Sequence, residues 1–552
     1  MVWRQGAAHN GCMPDLHALT AQDLRALDPE AMARLAEQML AHMAEQARQL
    51  GERDQQIAQQ AQALKFKDAR IERITFELAR LKAWKFAART ERMNAEQRQM
   101  FEETLAEDQA SLEAQLQALQ GETGQTPEAQ ASERAAKTPR RQMLPAHLRR
   151  VEHRHEPEDT TCPSPGCGRP MVRIGEDVSE RLDIVPAEFF VHRHVRGKWA
   201  CRCCQVLLQE PVAAQVIDKG MPAPGLLAHT VVGRFVDHLP YYRQEQINAR
   251  SGVHTPRATL ASWAGQAGAA LQPLFDAHRA FVLGAQVLHA DETPVAMLDP
   301  GAGKTKRAYI WAYARGAFDA MAGVVYDFCL SRAARHPVDF LKGWSGTLVC
   351  DGYGVYDSVI RLEDRVAAGC AAHARRKFDE LVRHGQSPVA MQAVQRFAQF
   401  YRIEREARTL NADDRRAVRQ ARARPLWEEM HVWLMLERQR VPDGSAIAAA
   451  IDYSLNRWTA LTRHLDDGHV SIDNNHCENQ IRPWALGRRN WLFAGSELAG
   501  QRAAVIMSLL QSARMHGHDP WAYLKDVLIR LPTHANSRID ELLPHCWLAP
   551  SS

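Results

Sequence analysis

The sequence predicts a multidomain α+β protein, and three features of its 552 residues support this fold class. A long segment rich in Ala, Gln and Glu near the N-terminus has helical periodicity. A cysteine-rich stretch with β-type residues follows, and short apolar runs typical of buried strands begin near residue 285. Because the chain is too long for one ordinary domain, we expect these features to belong to separate domains.

The composition is that of a globular protein with a weak basic excess. Apolar residues make up 45 % of the chain and the formal net charge is +4, which alone indicates no particular partner. No apolar run reaches the roughly 18 residues needed to span a membrane, and the N-terminus lacks the apolar core of a signal peptide. We therefore expect a cytoplasmic protein with no membrane partner, whose eleven cysteines stay reduced.

Residues 20–120 are predicted to form coiled-coil-like helices that make the protein a homo-oligomer. Apolar residues recur at intervals of seven from Met43 to Leu78, and such spacing keeps one seam of a helix facing a partner. The companion seam is polar in its first half, so an amphipathic helix folded onto its own chain is the alternative. Residues 121–155 are polar and increasingly basic, which predicts a linker, and a β-rich module follows at 156–218.

Two pairs of cysteines frame that β-rich module. Cys162 and Cys167 bracket a turn that contains Pro and Gly, and Cys201 and Cys204 have the CxxC spacing. Tetrahedral Zn²⁺ takes four soft donors, which two short turns joined by a hairpin supply. We therefore predict a closed, structural zinc site, with Cys203 as the spare thiol. A set of buried, reduced cysteines is the alternative.

Residues 222–270 have a helical pattern with short breaks. The turn SGVHTPRATL precedes a helix with apolar periodicity, and Thr255 is placed to cap a helix that Pro256 begins. This arrangement is similar to the join of a helix-turn-helix, whose second helix would read DNA. A packed helical connector is the alternative.

The apolar runs after residue 285 predict an α/β sheet. AQVLHADET, AYIWAYAR and AGVVYDF read as strands, a helix follows, and a fourth strand, GTLVCDGYG, contains Asp351. Three strands, a helix and a strand begin a ribonuclease-H-like sheet. If the first and fourth strands are adjacent and parallel, Asp291 and Asp351 lie together, where paired carboxylates hold Mg²⁺ for two-metal phosphoryl transfer. An acid at a strand end is otherwise often a turn or cap residue.

The third carboxylate of such a site is predicted in IDNNHCENQIRPWALGRRNWLFAGS. Asp473 is the predicted N-cap of a short helix over 474–482, which Pro483 stops or kinks. Glu478 and Arg482 are i,i+4 neighbours on one face of that helix. We expect the guanidinium to help keep the carboxylate ionised and to lie where a DNA phosphate approaches.

Four motifs in this order, HADETPV, CDGYGVYDS, CAAHARRKF and IDNNHCENQIRPWALGRRNWLFAGS, resemble the DDE transposases of the insertion sequence 66 family. The resemblance covers nearly the whole chain after about residue 35. It implies that Asp291, Asp351 and Glu478 bind two Mg²⁺ or Mn²⁺ ions and catalyse DNA strand breakage and joining. The sequence departs from the family's pattern at two points. The first cysteine pair is wider than usual, and Ala371 stands where the family usually has tryptophan.

Basic residues near the carboxylates are the predicted DNA contacts, since cations neutralise backbone phosphates. These residues are Arg375, Arg376, Lys377, Arg482, Arg488 and Arg489. The predicted catalytic core spans 280–515, with a helical insertion over about 385–465, and a helical tail covers 516–552.

We therefore expect a modular DNA transposase of an insertion sequence, associated with the nucleoid. Water activated at the triad would cleave DNA at the element ends, and the freed 3′-hydroxyl would attack target DNA. The terminal repeats, the target DNA and, by resemblance only, accessory proteins of the element are the implied partners. A metal-dependent nuclease that cuts without joining is one alternative. A non-catalytic repressor derived from a transposase is the other, although all three carboxylates are present.

Overall fold

The computed structural model describes residues 29–87, 95–121, 144, 146, 148–162, 167–185, 188–218, 220–299, 304–385, 387–491 and 494–549. The chain forms two compact units, divided between Thr75 and Phe76. Among the described residues, no helix is both long and apolar enough to cross a membrane.

A single helix, α1 (Pro29–Ala87), supplies the described part of the first unit. Gly51 is its one glycine and Pro29 its one proline, which suits a long helix because these residues cost most in a helix interior. The first four apolar residues at intervals of seven lie on its surface: Met43, Leu50, Ile57 and Leu64 are between 51 and 62 % exposed, whereas Leu78 is buried. The helix predicted from the periodicity is present, and no other described residue of this unit covers these four side chains.

The cysteine-rich module is a small sheet of four strands. The strands are β1 (Arg149–His155), β2 (Val172–Val185), β3 (Glu188–Ala200) and β4 (Leu207–Gln209). β3 lies in the centre, antiparallel to β2 and β4 and parallel to β1. Val191 and Val195 on β3 are buried. The open end of the β2–β3 hairpin lies close to the two turns that carry the cysteines.

Further helices precede this module in the chain or connect it to the second sheet. They are α2 (Ala95–Gly121), α3 (Pro224–Phe235), α4 (Tyr241–Arg250), α5 (Arg257–Ala270) and α6 (Gln272–Leu283). α5 packs closely along α2, and most of its residues are buried. A Cβ atom on Gly265 of α5 would lie 2.2 Å from the carbonyl oxygen of Glu107 in α2. This packing favours the connector over a DNA-reading helix.

The predicted cap of α5 is wrong. Pro256 occupies the N-cap position, the helix begins at Arg257, and no side chain caps it. The chain enters the helix one residue later than the sequence suggested, because Pro256 keeps an extended ψ of 140°.

The second sheet has five strands in the order β7-β6-β5-β8-β9. They are β5 (Val287–Asp299), β6 (Lys304–Arg315), β7 (Val324–Cys329), β8 (Thr347–Cys350) and β9 (Val366–Gly369). β5, β6 and β7 are antiparallel neighbours, whereas β8 runs parallel to β5 and β9 parallel to β8. Two short helices, α7 (Arg335–Phe340) and α8 (Val355–Ile360), fill the connections around β8.

Helices fill the chain between β9 and the last acidic motif. They are α9 (Ala371–Gly385), α10 (Pro388–Ala407), α11 (Ala412–Val418), a π-helical turn (Arg419–Ala423), α12 (Arg424–Arg440), α13 (Ala446–Asn456) and α14 (Trp458–Asp466). Phe397, Phe400 and Trp427 lie at the centre of a core of their own. Arg419 is fully buried and paired with Glu404 at 2.6 Å.

The last helices are α15 (Asn475–Trp491), α16 (Glu497–Met515) and α17 (Pro520–Arg530), followed by 3₁₀ turns at Leu531–Thr533 and Asn536–Leu542. α15 continues through Pro483, so the helix predicted over 474–482 is longer than expected. Proline removes one helical hydrogen bond, and the buried Ile481 and Trp484 on either side hold the helix on the core. α16 lies against β7, where the hydroxyl oxygens of Ser508 and Ser512 accept hydrogen bonds from strand N–H groups.

Candidate active site

The sheet topology places the two aspartates on neighbouring strands. Asp291 lies within β5 and Asp351 directly follows β8. The strands are parallel, with Leu288 opposite Leu348, which is the arrangement that the sequence required for the two acids to meet. The N–H of Tyr353 donates to Asp351 Oδ1 at 2.9 Å, so a tight turn holds that carboxylate at the end of the strand.

Glu478 completes the acidic group from the first turn of α15. Burial is the largest cause that raises the pKa of Asp291, to about 8, and the negative charges of Glu292, Glu478 and Asp351 add to it. The charges of Glu478 and Asp351 therefore act on Asp291, although less strongly than burial and Glu292 do. A site that disfavours its own negative charge in this way favours bound cations.

The three carboxylates are not in direct contact. Among the described residues, the sets of potential ligand atoms that all lie within 4.8 Å of one another do not include the triad. Glu478 Oε1 lies 3.6 Å from His373 Nδ1, and both atoms are buried without a hydrogen-bond partner. The carboxylates offer the hard oxygen donors that Mg²⁺ prefers, and Glu478 Oε1 is free of any hydrogen bond that would compete with a metal ion.

The cation beside Glu478 is not the one that the sequence predicted. Arg376 Nη2 lies 3.7 Å from Glu478 Oε2. Arg482 is exposed on α15, and no ion pair joins it to Glu478 among the described side chains. An arginine on a different helix, α9, therefore supplies the positive charge, which i,i+4 spacing within α15 could not reveal.

Asn474 is a functional residue that sequence reasoning missed. It is fully buried, and its Nδ2 donates to the carbonyl oxygen of Ala290 at 2.9 Å. Burial lowers the pKa of His289 to about 3, so this ring is neutral, and its Nδ1 pairs with Asn474 Oδ1 at 3.0 Å. One amide thus joins the start of the Glu478 helix to the residues directly before Asp291. Two adjacent asparagines before a helix are a signal that could have suggested it.

The residues around Asn474 also bring α9 to the site. The backbone N–H of Asn474 donates to Cys370 Sγ at 3.2 Å, and the N–H of Ala371 donates to Ile472 O at 3.0 Å. Ala371 is fully buried. The helix begins at Asn475, so the N-cap position belongs to Asn474 and not to the predicted Asp473. Asp473 Oδ1 still accepts from the N–H of Asn475, at 3.1 Å, from one residue before the cap.

Glu292, next to Asp291, is a fourth acid at this end of the sheet, and its side chain is only 2 % exposed. Tyr356 Oη donates to it at 2.7 Å and Arg332 Nε at 2.8 Å. These partners occupy its oxygens, whereas Glu478 Oε1 has no hydrogen-bond partner, so the geometry favours Glu478 over Glu292 as a metal ligand.

The predicted DNA contacts fall into two groups. Arg375, Arg376 and Lys377 are exposed on α9, and Arg376 lies beside Glu478. Arg488 is tied to β5, because its Nη1 donates to Pro294 O at 2.9 Å and to Thr293 Oγ1 at 3.2 Å. The side chain of Arg489 lies outside the described residues.

The four predicted zinc cysteines converge. The sulfur atoms of Cys162, Cys167, Cys201 and Cys204 all lie within 4.8 Å of one another, and Cys203 is exposed. Hydrogen bonding from Cys204 is the main cause that lowers the pKa of the Cys167 thiol. Four sulfur donors at the ends of two turns suit tetrahedral zinc, and the wide first pair reaches the cluster as well as a CxxC pair would.

Comparison with known proteins places the chain among the transposases. Residues 219–502 match the model of the Transposase IS66 family. Residues 159–205 match the zinc-finger binding domain of transposase IS66, and residues 508–545 match the IS66 C-terminal element. Residues 73–152 match a model described as Transposase C of IS166 homeodomain. The chain belongs to the IS66 family, and it is a transposase of an insertion sequence.

Three similar proteins come from Sinorhizobium fredii. The chain is 39 % identical to uncharacterized protein y4jD over 422 residues, which cover 74 % of this chain and 82 % of y4jD. It is 36 % identical to uncharacterized protein y4hP over 75 % of this chain and 78 % of that protein. It is 38 % identical to uncharacterized protein y4qI over 75 % of this chain and 79 % of y4qI.

Proposed function

We propose that this transposase is a DDE enzyme with a ribonuclease-H-like core, in which Asp291, Asp351 and Glu478 hold two Mg²⁺ or Mn²⁺ ions. The observation that carries the proposal is geometric: Asp291 lies on β5, Asp351 directly follows the parallel neighbour β8, and Glu478 lies in the first turn of α15. The strand order β7-β6-β5-β8-β9, with a parallel step from β5 to β8, supports the core assignment.

Bound metal ions supply an activated oxygen nucleophile and stabilise the leaving oxygen of a phosphodiester. The chain's own part is to fix the three carboxylates and to exclude competing partners. Asn474 positions α15 against β5, and the occupied Glu292 does not compete as a ligand. The exposed Arg375, Arg376 and Lys377 are proposed to hold the DNA backbone beside Glu478.

The proposed reaction has two steps on the same site. Hydrolysis at the element end frees a 3′-hydroxyl, which then attacks a target phosphodiester; one P–O bond forms as another breaks in each step. The substrates are the terminal repeats of the element and the target DNA. Accessory proteins of the element are proposed partners on the family resemblance alone.

A DNA cleavage and joining assay with Mg²⁺ and the element's own ends tests this proposal. We expect Asp291→Ala, Asp351→Ala and Glu478→Ala each to lose both steps. A metal contributes several kcal/mol of transition-state stabilisation, so at about 1.4 kcal/mol for each factor of ten the loss is about 10³-fold or more. DNA binding should be kept, because the basic residues are unchanged.

The matched control for these variants is Glu497→Ala, which removes an exposed acid in the first turn of α16. It should leave both steps intact. Full activity of Glu478→Ala would refute the DDE assignment. Cleavage by the wild-type protein without any joined product would favour the nuclease.

We also propose that α1 pairs with α1 of a second copy. The support is the stripe of Met43, Leu50, Ile57 and Leu64, because exposed apolar residues at heptad spacing lower the free energy when two helices bury them. A homo-oligomer would allow two element ends to be held by one assembly.

A further inference from the structure

Three side chains beside the proposed catalytic centre form a second group of metal-ligating atoms. Cys370 precedes α9, His373 lies in the first turn of α9, and Glu478 lies in the first turn of α15. One ligand atom from each, a sulfur, a ring nitrogen and a carboxylate oxygen, lies within 4.8 Å of the other two. Two elements that are distant in sequence thus converge on one point.

Two atoms of this group lack the partners that buried polar atoms normally have. His373 Nδ1 and Glu478 Oε1 are buried, 3.6 Å apart, and neither has a hydrogen-bond partner. Buried polar atoms left unpaired cost free energy, and two such atoms that face each other point to a missing cation between them.

The three ligand types select a particular class of metal. Thiolate and imidazole donors suit zinc and other borderline or soft metals, whereas Mg²⁺ takes oxygen. Ligands of tetrahedral zinc at bond lengths near 2.0–2.3 Å are separated by about 3.3–3.8 Å, and the separation of 3.6 Å between His373 Nδ1 and Glu478 Oε1 falls in this range. His373 and Glu478 are 23 % and 27 % exposed, which leaves a solvent side for a water as fourth ligand.

We propose that Cys370, His373 and Glu478 form a second zinc site, and that zinc bound there inhibits the transposase by holding Glu478 away from Asp291 and Asp351. Binding displaces the Cys370 proton to solvent, since the thiolate is the ligand. The existence of the site is independent of the proposed DDE function. The inhibition rests on that function, because it requires Glu478 as a catalytic ligand.

Metal stoichiometry of the full chain tests the site without any enzymatic assay. After equilibration with Zn²⁺, or with Co²⁺ as a spectroscopic probe, we expect two equivalents in the wild-type protein. Cys370→Ser and His373→Gln should each bind one, and Cys201→Ser with Cys204→Ser should remove the other. Cys546→Ser, which replaces an exposed cysteine outside both groups, is the matched control and should keep two. A wild-type protein with one equivalent, or a Cys370→Ser protein with two, would overturn the proposal.

Zinc titration of Mg²⁺-dependent DNA cleavage tests the inhibition, with each variant compared with its own zinc-free rate. Cys370→Ser should need a zinc concentration about tenfold or more higher than the wild-type protein for half-inhibition. The reason is that loss of a residue that only orients a metal ligand already lowers metal affinity by about 10–100-fold. Equal sensitivity of Cys370→Ser and wild type would refute the inhibition. If the wild-type protein cleaves no DNA, the proposed function fails, and the stoichiometry still decides the site.

Discussion

At the scale of single residues, the site depends on an amide that carries no chemistry. Asn474 connects the helix of Glu478 to the strand of Asp291 through two buried hydrogen bonds. Because unpaired buried groups cost about 1–3 kcal/mol each, the connection is both stabilising and specific. The acids themselves were predictable from sequence, since their type and order match a known chemistry. The roles of Asn474 and of Arg376, which lies beside Glu478, could not be predicted in this way, because they depend on contacts between distant segments.

We predict that Asn474→Ala destabilises the protein by about 2–4 kcal/mol, because it leaves the buried His289 Nδ1 unpaired and removes a hydrogen bond to Ala290 O. DNA cleavage should fall by about 10–100-fold with a higher Mg²⁺ requirement, as for other residues that orient metal ligands. Denaturant unfolding and the Mg²⁺ dependence of cleavage measure the two effects. Asn475→Ala is the control, since this exposed neighbour bonds only Asp473 through its side chain. Equal effects of the two substitutions would contradict the role given to Asn474.

At the scale of elements, α2 packs closely against α5 and α16 and belongs to the same core as these helices. The predicted helices of the N-terminal region were recognisable from their periodicity. Their partner was not, because apolar spacing marks a buried face without saying what covers it. Gly265 permits the approach of α2 to α5, and Arg502 of α16 is buried between Glu107 and Asp108 of α2.

Gly265→Ala should separate α2 from α5. A Cβ atom 2.2 Å from the Glu107 carbonyl oxygen cannot be accommodated without backbone movement, and overpacking of this kind costs about 1–3 kcal/mol. Thermal unfolding and limited proteolysis of α2 report the change. Gly51→Ala in α1, where a Cβ atom meets nothing within 4 Å, should instead be neutral or stabilise its helix by up to about 1 kcal/mol. An unchanged melting temperature for Gly265→Ala would argue against the packing.

The same interface should make stability depend on pH. Burial is the main cause that raises the pKa of Asp108 from 3.8 to about 6. The positive charge of Arg502 opposes this rise, and the negative charge of Glu107, which shares the same guanidinium, adds to it. Between these pH values the native state holds a proton that the unfolded state has lost. The contribution of this group is therefore full below about pH 4 and is lost as the pH rises through 6.

Asp108→Asn cannot lose a proton, so the variant should gain stability relative to wild type between about pH 4 and pH 7, by at most about 3 kcal/mol. The measurement is the free energy of unfolding of both proteins across that range. A constant difference between them would show that Asp108 does not titrate in this way. Comparison of the two proteins cancels the titration of the other acids.

At the scale of the whole molecule, the order of modules was predictable and their relations were not. The cysteine cluster, the strands around Asp291 and Asp351 and the helices beyond β9 all follow from local patterns. The depth at which α5 is buried and the passage of α15 through Pro483 do not, because tertiary packing overrides local preference in both. The apolar stripe of α1 is the one long-range prediction that still has no partner in the described part of this chain.

Replacement of Leu50 and Ile57 by Lys should convert the protein to a smaller species, since two charges in an apolar seam oppose pairing of helices. Light scattering coupled to size-exclusion chromatography measures the mass in solution. Gln55→Lys with Gln59→Lys adds the same charge outside the predicted seam and should leave the mass unchanged. A monomeric wild-type protein would exclude the proposed oligomer.

The hydrogen bond between Ala371 and Ile472 also has an evolutionary consequence. The chain leaves the second sheet for the helical region and returns towards it at two neighbouring residues, and insertions between adjacent points are well tolerated. Because the helices from α10 to α14 share a core with one another, we expect changes of length within them to be tolerated better than changes at Ala371 or Ile472.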